Sequence, residues 1–87
     1  MKSITHVAIK TEDEVVWSLP SPNRHHDVID LIYERRQDGK MVTGEQGFLD
    51  SEGKFLDRKE ALHVAVEADQ LIRKTFPENE LFSEDLW

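Results

Sequence analysis

The sequence predicts one small α+β domain, ordered strand-strand-helix-strand-strand-helix and closed by a C-terminal tail that docks. Three observations carry that expectation. Residues 3–10 alternate in polarity and are rich in β-branched side chains, the pattern of a strand. Two later stretches place their apolar residues at helical spacing. Residues 43–61 hold three of the four glycines, two short apolar segments about a turn, and then a helix start.

Taken in order, the first strand puts Ile4 and His6 on one side and Val7 and Ile9 on the other. Thr11, Glu12, Asp13 and Glu14 form a polar turn, and residues 15–19 return as a second strand, giving a hairpin with a four-residue loop. Pro20 and Pro22 stop it, because neither can donate to a ladder. Ser21 then reads as an N-cap with Pro22 at the first helical position, or Asn23 takes the cap instead. Val28, Ile29, Ile32 and Tyr33 give the helical face, Arg35 and Arg36 suit its C-terminal end, and Gly39 fits a left-handed terminator.

Met41, Val42 and Thr43 open a third strand that Phe48 and Leu49 continue. Gly44 and Gly47 inside that pattern suggest a bulge or a close backbone approach. Phe55 and Leu56 form a short return strand. Asp57 with Glu60 three residues later makes a capping-box pattern. The stripe Ala61, Val64, Ala65, Ala68, Leu71 and Ile72 extends a second helix over residues 58–74, packed on the sheet through Ala61, Ala65, Ala68 and Ile72. Pro77 ends the helical region by position 76. Residues 1–76 are therefore expected to form the domain. Residues 77–87 form an acidic tail whose Leu81, Phe82, Leu86 and Trp87 argue against a solvated, disordered end.

Composition narrows the function. The chain has 87 residues, eleven basic and eighteen acidic, for a formal charge of −7. That balance opposes direct nucleic-acid binding, which needs a basic face. With no cysteine, neither a disulfide scaffold nor a thiolate zinc site is available. No apolar run is long enough for a membrane span and no signal-peptide core is visible, so a soluble, cytoplasmic protein is expected. A domain this small, with a wide apolar helix face and an aromatic tail, is expected to self-associate.

Two places carry candidate chemistry. Arg24, His25 and His26 fall in the opening turn of the first helix, where unpaired N–H groups and the dipole favour an anion; the plainer reading is a pair of surface histidines beside a cap. Adjacent histidines point about 100° apart on a helix, so no metal site is expected from them. Gly44 and Gly47, three apart, can present N–H groups to a ligand, although their spacing matches no phosphate loop. Trp17 is either a core residue or a ring that stacks on a base near a bound anion. Nucleophilic catalysis has no support: there is no cysteine and no Gly-x-Ser-x-Gly elbow.

The strings Arg24-His25-His26-Asp27-Val28-Ile29, Gly44-Glu45-Gln46-Gly47-Phe48-Leu49, Asp57-Arg58 with Glu60-Ala61, and Leu81-Phe82-Ser83-Glu84-Asp85-Leu86-Trp87 occur in this order across nearly the whole chain. In this they resemble a family of small accessory proteins encoded by phages and prophages. The resemblance implies work inside an infected bacterium, in the host cytoplasm, binding something host-made and disabling it. Two functions follow. One is sequestration, without turnover and without a cofactor, of a phosphate-bearing nucleotide or nucleotide-derived immune signal. Its binding residues would be Arg24, His25, His26, Gly44, Gly47, Arg58 and Trp17. The alternative is an acidic module that inhibits a host defence or nucleic-acid-binding protein. An enzyme, most plausibly a phosphodiesterase using the histidines, stands third and is not the expected outcome.

Overall fold

The computed structural model describes residues 2–74 and 79–87. The predicted order is the observed one: β1 (Ile4–Thr11), β2 (Val16–Pro20), α1 (His25–Arg36), β3 (Gly44–Asp50), β4 (Phe55–Asp57) and α2 (Arg58–Glu67), followed by a 3₁₀ turn at Ser83–Asp85. The four strands form one antiparallel sheet in the order β2-β1-β3-β4. It is an α+β fold.

Register explains the layers. Paired residues share a face in an antiparallel sheet, so Leu19, Val7, Phe48 and Leu56 form one row across all four strands. Val7, Ile9, Phe48 and Leu56 meet Val28 and Ile32 of α1 and Ala61 and Ala65 of α2 in a single core. Both helices therefore cover the same face. The two alanines have no exposed surface, and their small side chains let α2 lie close on β3 and β4.

The N-terminal strand departs from simple alternation. The β1–β3 register shifts between Ile4 and His6, so Thr5 is an extra residue that changes the side-chain phase. Ile4 consequently joins Val7 and Ile9 in the core rather than siding with His6. The expected irregularity at Gly44 and Gly47 is absent: pairing runs unbroken from Leu49 to Gly44. Close approach is what glycine serves here. A Cβ at Gly47 would stand 2.2 Å from the Leu56 main-chain oxygen and 2.7 Å from the Phe55 ring, and one at Gly44 would stand 2.5 Å from the Lys10 oxygen.

Several boundaries move. Pro20 is the last residue of β2, paired with His6, rather than its stop. The Ser21 N–H donates to the Thr5 oxygen, and Asn23 donates both its N–H and its side-chain amide to the Pro20 oxygen. Those bonds use up the expected cap residues, so Arg24 becomes the N-cap, and its own N–H donates to the Asp27 carboxylate at 2.8 Å. At the other end Gln37, with φ 53°, provides the left-handed cap two residues before Gly39. β3 begins at Gly44, not Met41, whose side chain is exposed.

The largest correction concerns α2. Asp57 and Glu60 form the predicted capping box, but the helix ends at Glu67 instead of reaching residue 74. Asp69 turns left-handed, with φ 55°. Gln70 then uses its side-chain amide twice, accepting from the Ile4 N–H at 2.7 Å and donating to the Ile4 oxygen at 2.9 Å. Pairing with the start of β1 outcompetes two more helical turns. Ile72, expected to pack on the sheet, is 60% exposed and lies outside the core. The expected stop at Pro77 and the boundary at 76/77 lie outside the described residues.

Leu81 and Leu86 are buried in the core. The Leu81 N–H donates to the Arg58 oxygen and the Ile72 N–H to the Asp85 oxygen, so this segment closes the domain beside the first turn of α2 and the chain that follows that helix.

Candidate functional site

The predicted residues divide into a cluster and three outliers. Arg24 points at the C-terminal segment: its guanidinium donates to the main-chain oxygen of Trp87 and to the Ser83 hydroxyl, and lies 3.8 Å from the Glu84 carboxylate. The Trp87 indole N–H returns a bond to the Asn23 oxygen at 2.9 Å. His25 is 8% exposed and meets Phe48 edge-on, ring centroids 5.0 Å apart. Its Nε2 lies 2.8 Å from the Gly47 oxygen. A carbonyl only accepts, so Nε2 carries the proton. Burial pushes the His25 pKa below the ordinary histidine value and Arg58 adds to that, while the Gly47 bond and Glu84 oppose it.

Arg58 completes the cluster from the first turn of α2. It donates to the Gln46 side-chain oxygen, its guanidinium carbon lies 4.5 Å from the Phe82 ring centroid, and its buried Nε has no hydrogen-bond partner. Burial lowers its pKa, against Glu80 and Glu84. The structure thus brings Arg24, His25, Gly47 and Arg58 around residues 82–87. It leaves three residues elsewhere. His26 is exposed and faces Asp27 at 3.3 Å. Gly44 pairs with Thr11 at the end of the ladder. Trp17 pairs with Ile9 on the core face and packs on the core, its indole nitrogen buried without a partner.

At α2 the Asp57 carboxylate accepts from the N–H groups of Lys59 and Glu60; at α1 the Asp27 carboxylate accepts from the N-cap N–H of Arg24, and no cap side chain accepts from the first turn. The open space lies one step away. β3 runs three residues past its last pair with β4, which is Gly47 with Asp57. That shortfall leaves a cleft of about 350 Å³ lined by Glu45, Gln46, Asp57, Arg58, Lys59 and Glu80. Three carboxylates and two cations face it, a mixed lining suited to a charged or zwitterionic group. Among the described residues no group of three or more His, Asp or Glu is placed to hold a metal ion.

Of the residues that the sequence offers, only Arg58 lines this cleft; Gln46, Glu80 and the Ser83–Trp87 contacts were not among them. Their only advance signal was the aromatic content of the tail, which announces docking without saying where.

The sequence model of the phage T4 y16D protein matches residues 3–87. No curated protein and no solved structure matches the chain. No helix among the described residues is long and apolar enough to cross a membrane.

Proposed function

We propose, starting from the fact that this chain belongs to the phage T4 y16D protein family, that it is an acidic interaction module. In this reading the cleft at the end of β4 receives a lysine or arginine side chain from a basic surface of a host defence or nucleic-acid-binding protein. One observation carries the reading: of the groups expected to take a phosphate, Arg24, His25 and Arg58 are engaged within the fold. Arg24 is held by Trp87, Ser83 and Glu84, His25 is buried against Gly47, and Arg58 is held between Gln46 and Phe82. Glu45 is exposed at the rim, Glu80 is half-buried in the wall, and Glu84 stands exposed nearby. A carboxylate pair in a partly desolvated cleft makes strong, geometry-specific bonds to a guanidinium, and a net charge of −7 speeds encounter with a basic partner.

A second reading keeps the same cleft but reverses the ligand. Arg58 and Lys59 line it beside the first turn of α2, and the Arg58 Nε is unbonded, which favours a phosphate-bearing nucleotide held without turnover. One experiment separates the two. Affinity capture from infected-host lysate is run with the intact chain and with Glu45→Gln/Glu80→Gln, and the captured material is analysed for protein and, after heating, for nucleotide. A basic protein lost in the double variant supports the interaction module. An intact nucleotide whose binding survives that variant and fails in Lys59→Ala supports sequestration. A cleaved nucleotide product supports neither and indicates an enzyme.

A further inference from the structure

β2 forms one edge of the sheet, and no strand among the described residues pairs with its outer side. Its hydrogen-bond phase is fixed at both ends. The Thr11 N–H donates to the Val15 oxygen at 2.9 Å, and the Ser21 N–H donates to the Thr5 oxygen at 3.1 Å. Antiparallel alternation then directs the main-chain groups of odd-numbered residues at β1 and those of even-numbered residues outward. Pro20 lacks its donor on the open side, where the loss costs no ladder bond, and its oxygen is already taken by Asn23. Four groups stay open: the N–H and C=O of Val16 and of Ser18.

The edge is also unguarded. Exposed edge strands are ordinarily protected by charges, bulges or covering segments, yet residues 15–23 contain no charged side chain in a chain that is one-third charged. Val15 and Val16 are 45% and 40% exposed, and Tyr33, on the helix packed over β1 and β2, is 53% exposed. Leu81 and Leu86 of the C-terminal segment are spent on the chain's own core and Trp87 packs against it, so these residues no longer need a partner. β2 does.

We propose that β2 pairs antiparallel with β2 of a second copy of this chain, with Trp17 on the two-fold axis. That register sets Val16 opposite a second copy's Ser18, so the four open groups of each chain close into four bonds across the interface. Centring on Ser18 instead would set Val16 against a Pro20 that has no donor and an occupied acceptor, leaving two clean bonds. Electrostatics favours a copy meeting a copy here: two chains of charge −7 repel wherever carboxylates face, and residues 15–23 carry none. In the Trp17 register Glu14 stands opposite Pro20, not opposite another acid. Two indoles across a non-hydrogen-bonded pair, with Cα atoms about 4.5 Å apart, add an aromatic cross-strand contact. This inference does not depend on the cleft.

Sedimentation of the full chain at tens of micromolar tests it, with a species of twice 10.1 kDa expected. Ser18→Pro removes an outward donor while leaving the β1 ladder intact, and is expected to give a folded 10.1 kDa species by sedimentation and circular dichroism. If that variant does not fold, Ser18→Lys places like charges beside the axis and carries the same expectation. The chain has no native thiol, so single cysteines report the register. Trp17→Cys should cross-link on mild oxidation, whereas Ser18→Cys should not, its diagonal separation of about 7–8 Å exceeding disulfide reach. A monomer at these concentrations, with β2 left for a strand of another protein, overturns the proposal. So does a dimer unaffected by both Ser18 variants, or a cross-link at Ser18→Cys alone.

Discussion

The imidazole of His25 donates its Nε2–H to the main-chain oxygen of Gly47 at 2.8 Å, tying the first turn of α1 to the middle of β3 across 22 residues of sequence. Burial lowers the pKa of that ring and so favours its neutral form. A histidine whose folded pKa lies below its unfolded value near 6.5 contributes stability above that pH and loses it as the pH falls toward the folded value. Urea midpoints should therefore decline from pH 7 into the acid range, with at most about 1.4 kcal/mol per pH unit from this one group. In His25→Gln, which keeps an amide donor and removes the titration, that part of the slope should vanish. An unchanged slope would show that the proton is taken elsewhere.

Gly47→Ala should destabilise the β3–β4 ladder. The added methyl meets a main-chain oxygen and an aromatic ring at separations no real Cβ tolerates, and overpacking of this kind costs about 1–3 kcal/mol. Gly53→Ala is the comparison: no atom crowds a Cβ there, but the backbone has φ +82°, so its cost is conformational. Chemical denaturation of the two variants should show loss in both, with the Phe55 and Leu56 amides losing hydrogen-exchange protection only in Gly47→Ala.

Gln70→Ala removes both side-chain bonds to the buried Ile4 backbone. An orphaned buried donor and acceptor cost about 1–3 kcal/mol. Gln70→Glu should be no better, since its carboxylate would face the Ile4 oxygen. Denaturant midpoints of the three proteins check this.

Leu81→Ala should cost about 3 kcal/mol, because the side chain has no exposed surface and leaves a cavity in the core. Ile72→Ala, at an exposed position, should change stability by no more than about 0.5 kcal/mol. The pair tests whether the core's last large side chain comes from the C-terminal segment rather than from an extended α2.

What was legible in the chain was what local chemistry decides. The β1–β2 hairpin, the Asp57–Glu60 cap and the apolar faces of both helices depend on neighbours a few residues away. The misplaced features all depend on distant partners. A stripe that continues to Ile72 predicts a longer α2, but Gln70 reaches 66 residues back to Ile4. Ser21 and Pro22 predict the cap of α1, but the Ser21 N–H is bonded to Thr5. For the candidate site, the sequence marks Arg24 and His25 as candidate ligand groups, yet nothing local reveals that Trp87, Ser83 and Gly47 occupy them. Periodicity cannot report a bond that spans the chain.

The closure of the core by Leu81 and Leu86 has a consequence for biosynthesis. Leu81 and Leu86 belong to the same core as Val28, Ile32 and Phe48, so during synthesis that core stays incomplete until residues 81–86 have left the exit tunnel.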